Sequence, residues 1–199
     1  MSKPRSTFKA DLPKEGAYQA ICKHVVELGT QKSNNPKFKD ANRILFLYEI
    51  PSLQRKGEDG KKYPSYRTID MGYSPKAKNL AAWMEDWLDV TDISKYDFAD
   101  AVGERATITI KHSDNGKYAN IKKIAPGKGK SGGNGLMEEI SVFLDDTFDE
   151  DAFNALPQWI QSKIIDSPEY DEVSTPRKKK PAKEGRAEKR AARKKARGK

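Results

Sequence analysis

The sequence predicts a mainly β domain, a five-stranded barrel with one helix between its third and fourth strands. Three observations predict it. Apolar residues alternate at period two in short stretches between residues 16 and 125. The period switches once to helical spacing, after Ser74. Pro, Gly, Asn and Asp cluster where one stretch must turn into the next.

The elements follow in order. "GAYQAICKHVVELG", 16–29, reads as strand one, with Tyr18, Ala20, Cys22, His24, Val26 and Leu28 on one face and Gln19, Ile21, Lys23, Val25 and Glu27 on the other. A polar loop containing Pro36 comes next. "RILFLYEI", 43–50, is strand two, with Ile44, Phe46, Tyr48 and Ile50 facing one way and Arg43, Leu45, Leu47 and Glu49 the other. Pro51, Gly57 and Gly60 break it, and "SYRTIDMGYS", 65–74, is strand three. Ser74 then suits a helix N-cap and Pro75 the first helical position. Leu80, Trp83, Met84, Trp87 and Leu88 form one apolar stripe. Trp83 and Trp87 look like a platform for bases, but core filling is the expected role. An irregular connector leads to "RATITIKHS" and "KYANIKKIA", strands four and five, joined at Asp114-Asn115-Gly116. This is the element order of the OB-fold, a Greek-key barrel. A small split sheet packed on one helix would give a similar string.

The expected organisation is an N-terminal arm (1–13), the barrel (14–126), a Gly/Lys linker (127–135), an acidic-hydrophobic, partly helical segment (136–172) and a disordered basic tail (173–199). Charge follows the same divisions. Residues 1–130 carry net +8, residues 131–175 net −10 and residues 176–199 net +11, for the whole-chain +9. A basic module favours polyanions through phosphate contact and counterion release. The acidic segment suits ordering on a partner, or competition for the basic face.

Much chemistry is excluded. Cys22 is the single cysteine of the 199 residues, so no internal disulfide can form, and with two histidines there is no zinc spacing. "GKGKS", 127–131, resembles the end of a P-loop but has Ile124 where the first Gly should stand. The acids from Asp145 to Asp151 lack EF-hand spacing. No catalytic constellation is readable, and no cofactor or metal is expected. No apolar run is long enough to cross a membrane, and the N-terminus lacks a signal-peptide core, so a cytoplasmic protein is expected.

Single-strand binding needs cations for phosphates and aromatic faces for bases. On an OB-fold the groove crosses strands two and three and is flanked by the one–two and four–five loops. The matching residues are Lys32, Lys37, Phe38, Lys39 and Arg43 in the first loop and strand two. Lys61, Lys62, Tyr66, Arg67 and Tyr73 follow around strand three, and Lys111, Lys117 and Tyr118 on the four–five hairpin. Phe38, Tyr66, Tyr73 and Tyr118 are the candidate base-stackers.

In order along residues 14–170, "GAYQAICKHVVELGTQKS", "ILFLYEIP", "YSPKAKNLAAWMEDWLD", "VGERATITIKHSDNGKYANIKKIAP" and "LPQWIQSKIIDSPEY" resemble a family of small bacteriophage proteins. That family is described as single-stranded-DNA-binding or replication-associated, with an OB-fold. The resemblance implies a non-enzymatic protein that coats single-stranded DNA during phage replication or recombination, in the host cytoplasm. It supplies no contact residues. The basic tail departs from the acidic C-terminus of bacterial single-strand binders, and the acidic stretch 138–172 is the candidate for recruiting a replication partner. Two other readings share the composition: a module that binds a host or phage protein through 138–172, and an RNA-binding protein.

Overall fold

The computed structural model describes residues 12–33, 35–37, 39–56, 59–129 and 135–174. Phe38, the middle of the Gly/Lys linker, most of the N-terminal arm and the basic tail lie outside the described residues.

The chain is mainly β. β1 (Gly16–Gln31), β2 (Ala41–Glu49), β5 (Tyr66–Gly72), β6 (Arg105–His112) and β7 (Ala119–Pro126) form one sheet in the order β5-β2-β1-β6-β7. All of these neighbours are antiparallel. A two-stranded ribbon, β3 (Arg55–Lys56) with β4 (Lys62–Tyr63), extends the connection between β2 and β5. β8 (Ile140–Val142) joins β1 in parallel at His24–Val26, beyond the point where β6 leaves it. The sheet is open, not the closed barrel expected. β5 and β7, its two ends, come within 8 Å by Cα, yet no ladder joins them.

β1 can serve two neighbours on one edge because it bulges. Cys22 pairs with Tyr48 and His24 with Leu47, which leaves Lys23 as the extra residue. A bulge bends the strand and reverses which side chains face which way. The single alternating face expected for strand one is therefore split. Ala20, Cys22 and Val25 enter one core, whereas Val26 and Leu28 enter another.

The first core lies between the concave face of the sheet and α1 (Lys78–Leu88). Ile44, Phe46, Tyr48, Ile108 and Ile110 meet Leu80, Trp83, Met84 and Trp87 there. Trp83 donates its indole N–H to the Tyr48 hydroxyl at 3.0 Å and Trp87 donates to the Arg105 carbonyl at 2.9 Å. Both indoles thus sit in the core with their polar ends satisfied, not on a base platform. The helix starts later than Ser74. Ser74 to Ala77 close a turn instead, the Ala77 N–H donating to the Ser74 carbonyl at 3.0 Å, with Pro75 at the position that favours such a turn.

The second core is the larger departure from expectation. The acidic segment orders on this chain's own sheet. β8, α2 (Glu150–Asn154), α3 (Gln158–Ile165) and α4 (Pro168–Ser174) form a layer with the face of β1 and β2 opposite α1. Val26, Leu28, Leu45 and Leu47 are at most 2% exposed beneath Ile140, Val142, Phe153, Leu156, Ile160 and Ile164. Residues 14–126 and 136–172 are therefore parts of one packed unit.

Buried polar contacts fix that layer in register. Glu49, fully buried, accepts the Leu136 and Met137 N–H groups at 2.7 and 3.0 Å. Glu27 accepts from the Leu144 N–H at 3.0 Å and from the Asn42 amide at 2.6 Å. Buried Lys23 pairs with Glu139 at 3.6 Å. Gly135 passes so close to this cluster that a Cβ there would lie 2.5 Å from both Glu49 Oε2 and Lys23 Cε. At the far end Glu169 accepts from the Thr30 N–H and hydroxyl at 2.8 and 2.5 Å. Gly29, at φ 69, allows β1 to turn against Ser167 there.

Candidate nucleic-acid interface

The β6–β7 hairpin is the best-defined cationic feature. After β6, the Ser113 N–H donates to the Tyr118 carbonyl at 2.9 Å and the Gly116 N–H to the Ser113 carbonyl at 2.7 Å. Asn115 Oδ1 accepts from the Lys117 N–H at 3.0 Å and the Ser113 hydroxyl at 2.7 Å. The Ser113 hydroxyl oxygen accepts the Tyr118 N–H at 3.0 Å. Gly116, at φ 65, supplies the left-handed residue the turn needs. The tip is thus held by its own hydrogen bonds, and it presents Lys117 and Tyr118 outward. Tyr118 is 63% exposed, the most exposed large hydrophobic side chain among the described residues.

The base of the hairpin is clamped. Glu15 accepts the His112 N–H at 2.7 Å and pairs with Lys111 at 3.0 Å, and His112 Nε2 lies 2.8 Å from the Pro13 carbonyl. The His112 N–H, then Lys111, hold the Glu15 carboxyl below its ordinary range. Lys111 is therefore part of this clamp, and its charge is already countered.

Beside the hairpin lies a polar sheet face, crossed at its Gln19 end by the chain leaving β7, where the Lys128 N–H donates to Gln19 Oε1 at 2.9 Å. Ala17 and Gln19 of β1 stand in register with Thr109 and Thr107 of β6, and these with Lys123 and Ala125 of β7. Their neighbours Ala106, Ile108 and Ile110 point into the core. Small and polar side chains dominate this face, with Lys122 and Lys123 exposed at its β7 side. These two lysines lie outside the groove expected from the barrel, so they are not among the residues expected from the sequence. The signal for them was the pairing of outward Thr, Gln and Lys across three strands.

The remaining candidates do not converge with the hairpin. The outer face of β1 and β2, beside the place where an OB-fold groove would run, is covered by residues 136–174, which reach β5 at Tyr66. Tyr66 packs against that second core. Arg43 makes a cross-strand pair with Asp70, Nε to carboxylate at 2.8 Å and Nη2 to the Asp70 carbonyl at 2.9 Å. Arg67 donates to the Tyr66 carbonyl at 2.6 Å, and burial lowers its pKa. Tyr73 is half-buried, edge-on to Phe98 at 5.5 Å between ring centres. Lys61 and Lys62 are exposed on the β3–β4 ribbon, Lys61 lying 3.9 Å from Asp59. Lys32, Lys37 and Lys39 are exposed on the β1–β2 loop. Lys32 there shares a depression with Asp40, Asp166 and Asp171, so the acidic layer offsets that loop.

Among the described residues no cluster of three or more His, Cys, Asp or Glu could hold a metal ion, and no helix is long and apolar enough to cross a membrane. No family model matches the chain, and no curated protein or solved structure matches it.

Proposed function

We propose that this protein binds single-stranded DNA with little sequence preference, through the β6–β7 hairpin and the open face of β1, β6 and β7. The observation that carries the reading is Tyr118, a large aromatic ring 63% exposed on a hydrogen-bonded tip beside Lys117. A ring exposed to this degree adds little to the core, but it offers a π-face to any base. The pre-formed tip reduces the ordering cost of that contact.

Two further features support the reading. The order β5-β2-β1-β6-β7, with α1 between β5 and β6, is that of an OB barrel opened between its third and fifth strands. The sequence resemblance to phage single-strand binders points the same way and suggests replication or recombination as the setting. The site differs from the usual OB groove because the outer face of β1 and β2 is occupied. Stripping that cover would expose Val26, Leu28, Leu45 and Leu47, at about 1.5–3 kcal/mol each, and would break the hydrogen bonds that Glu27 and Glu49 accept from it. A base stacked on an aromatic ring returns about 1–3 kcal/mol. The cover therefore stays, and the strand takes the open side.

The test is binding of labelled oligo-dT, its duplex and the matching RNA across a salt series. Oligo-dT is expected to bind more tightly than duplex at equal salt. Lys117→Glu/Tyr118→Ala should lose about tenfold or more, as expected for one stack and one phosphate contact. Equal binding of single strand and duplex, or an unaffected double variant, would refute the proposal.

A further inference from the structure

A groove of about 500 Å3 runs between β7 and α1, separate from the hairpin tip. One wall is four consecutive residues of β7: Lys122, Lys123, Ile124 and Ala125. The other is Asn79, Ala82, Trp83 and Asp86 of α1, spaced as a single helical stripe. β7 ends the sheet and pairs only with β6; β5 comes within 8 Å of it, but no ladder forms, so the stretch that faces α1 has no strand partner. An unpaired strand edge facing a helix across a groove is the geometry in which an extended peptide adds to a sheet.

The lining chemistry selects the occupant. Lys122 and Lys123 are exposed, and no ion pair is recorded for either among the described residues. Lys76 and Lys78 stand at the start of α1, whose first turn has no side-chain cap. Asp86 is the sole carboxylate in the lining. A second copy pairing β7 to β7 would oppose lysines to lysines, which is destabilising. A nucleobase would need a ring face, but Trp83 is 9% exposed and its N–H is bonded inward to Tyr48. An extended peptide bearing carboxylates meets both the bare edge and the lysines. We propose that this groove is a docking site for an extended acidic peptide of a partner protein, which adds to β7 as a strand.

The test uses the full chain and a short labelled peptide of alternating Asp and Val, read by anisotropy and by backbone amide shifts. Saturable binding is expected, with the footprint on residues 122–125. Ala82→Glu, at an exposed helical position, should weaken it about tenfold by adding a like charge to the groove. Lys122→Ala/Lys123→Ala should also weaken it. Peptide affinity should be unchanged in Lys117→Glu/Tyr118→Ala, which separates this site from the hairpin. Absence of binding, a footprint elsewhere, or equal binding of a Lys-Val peptide would overturn the proposal. So would peptide binding that Lys117→Glu/Tyr118→Ala weakens.

Discussion

His24 shows at the residue scale how burial sets chemistry. It lies in the bulged part of β1, 2% exposed, opposite Ile140 of β8. Burial, chiefly, and then the Lys23 charge push its pKa down to about 4, against a hydrogen bond to the Glu138 backbone that raises it. The unfolded chain takes up this proton near 6.5, the folded chain only near 4. Between those values the unfolded state holds more protons, so stability is full above 6.5 and falls as pH drops towards 4. The whole shift corresponds to about 3 kcal/mol. Carboxylates with lowered pKa values, such as Glu15 and Glu169, begin to lose their contribution only as pH falls through 4.5, at the foot of this window. Urea unfolding should therefore show a lower midpoint at pH 5 than at pH 7. His24→Gln should flatten the difference, and a wild-type midpoint constant over that range would contradict the account.

At the scale of elements, β2 is the informative strand. Its inner residues Ile44, Phe46 and Tyr48 and its outer residues Leu45 and Leu47 are all buried. A strand apolar on both faces needs a layer on each side. That signal was present in "RILFLYEI", and "FNALPQWIQSKI" offered the matching stripe in Phe153, Leu156, Ile160 and Ile164. Strands, helix and hairpin were legible because each follows from local periodicity or turn chemistry. The docking of 136–174 was not, because it joins residues from 87 to 139 positions apart and depends on a bulge at Lys23 that shifts a face. The same gap explains why Tyr66 and Arg43 resemble binding residues: their composition is right, but Tyr66 packs on the second core and Arg43 is paired with Asp70. Glu49 is the sharpest test of the docking. Glu49→Gln keeps the shape but weakens two charge-assisted bonds to the Leu136 and Met137 N–H groups. It should cost about 1–3 kcal/mol in urea unfolding, and an unchanged midpoint would argue that the layer is held by apolar contact alone.

For the whole molecule, charge and packing divide the labour. The acidic segment, net −10 over residues 131–175, uses its apolar side to close the second core and keeps Asp145, Asp146, Glu150 and Asp151 exposed. On the proposed reading a polyanion is repelled from that side and meets the hairpin and the polar face of β1, β6 and β7. The central claim is that a single strand binds there without displacing the cover. Hydrogen exchange of the full chain, with and without saturating oligo-dT, tests it most directly. The account predicts slowed exchange in residues 112–119 and unchanged exchange in 136–174. Faster exchange across 136–174 on binding, with no protection at the hairpin, would contradict it.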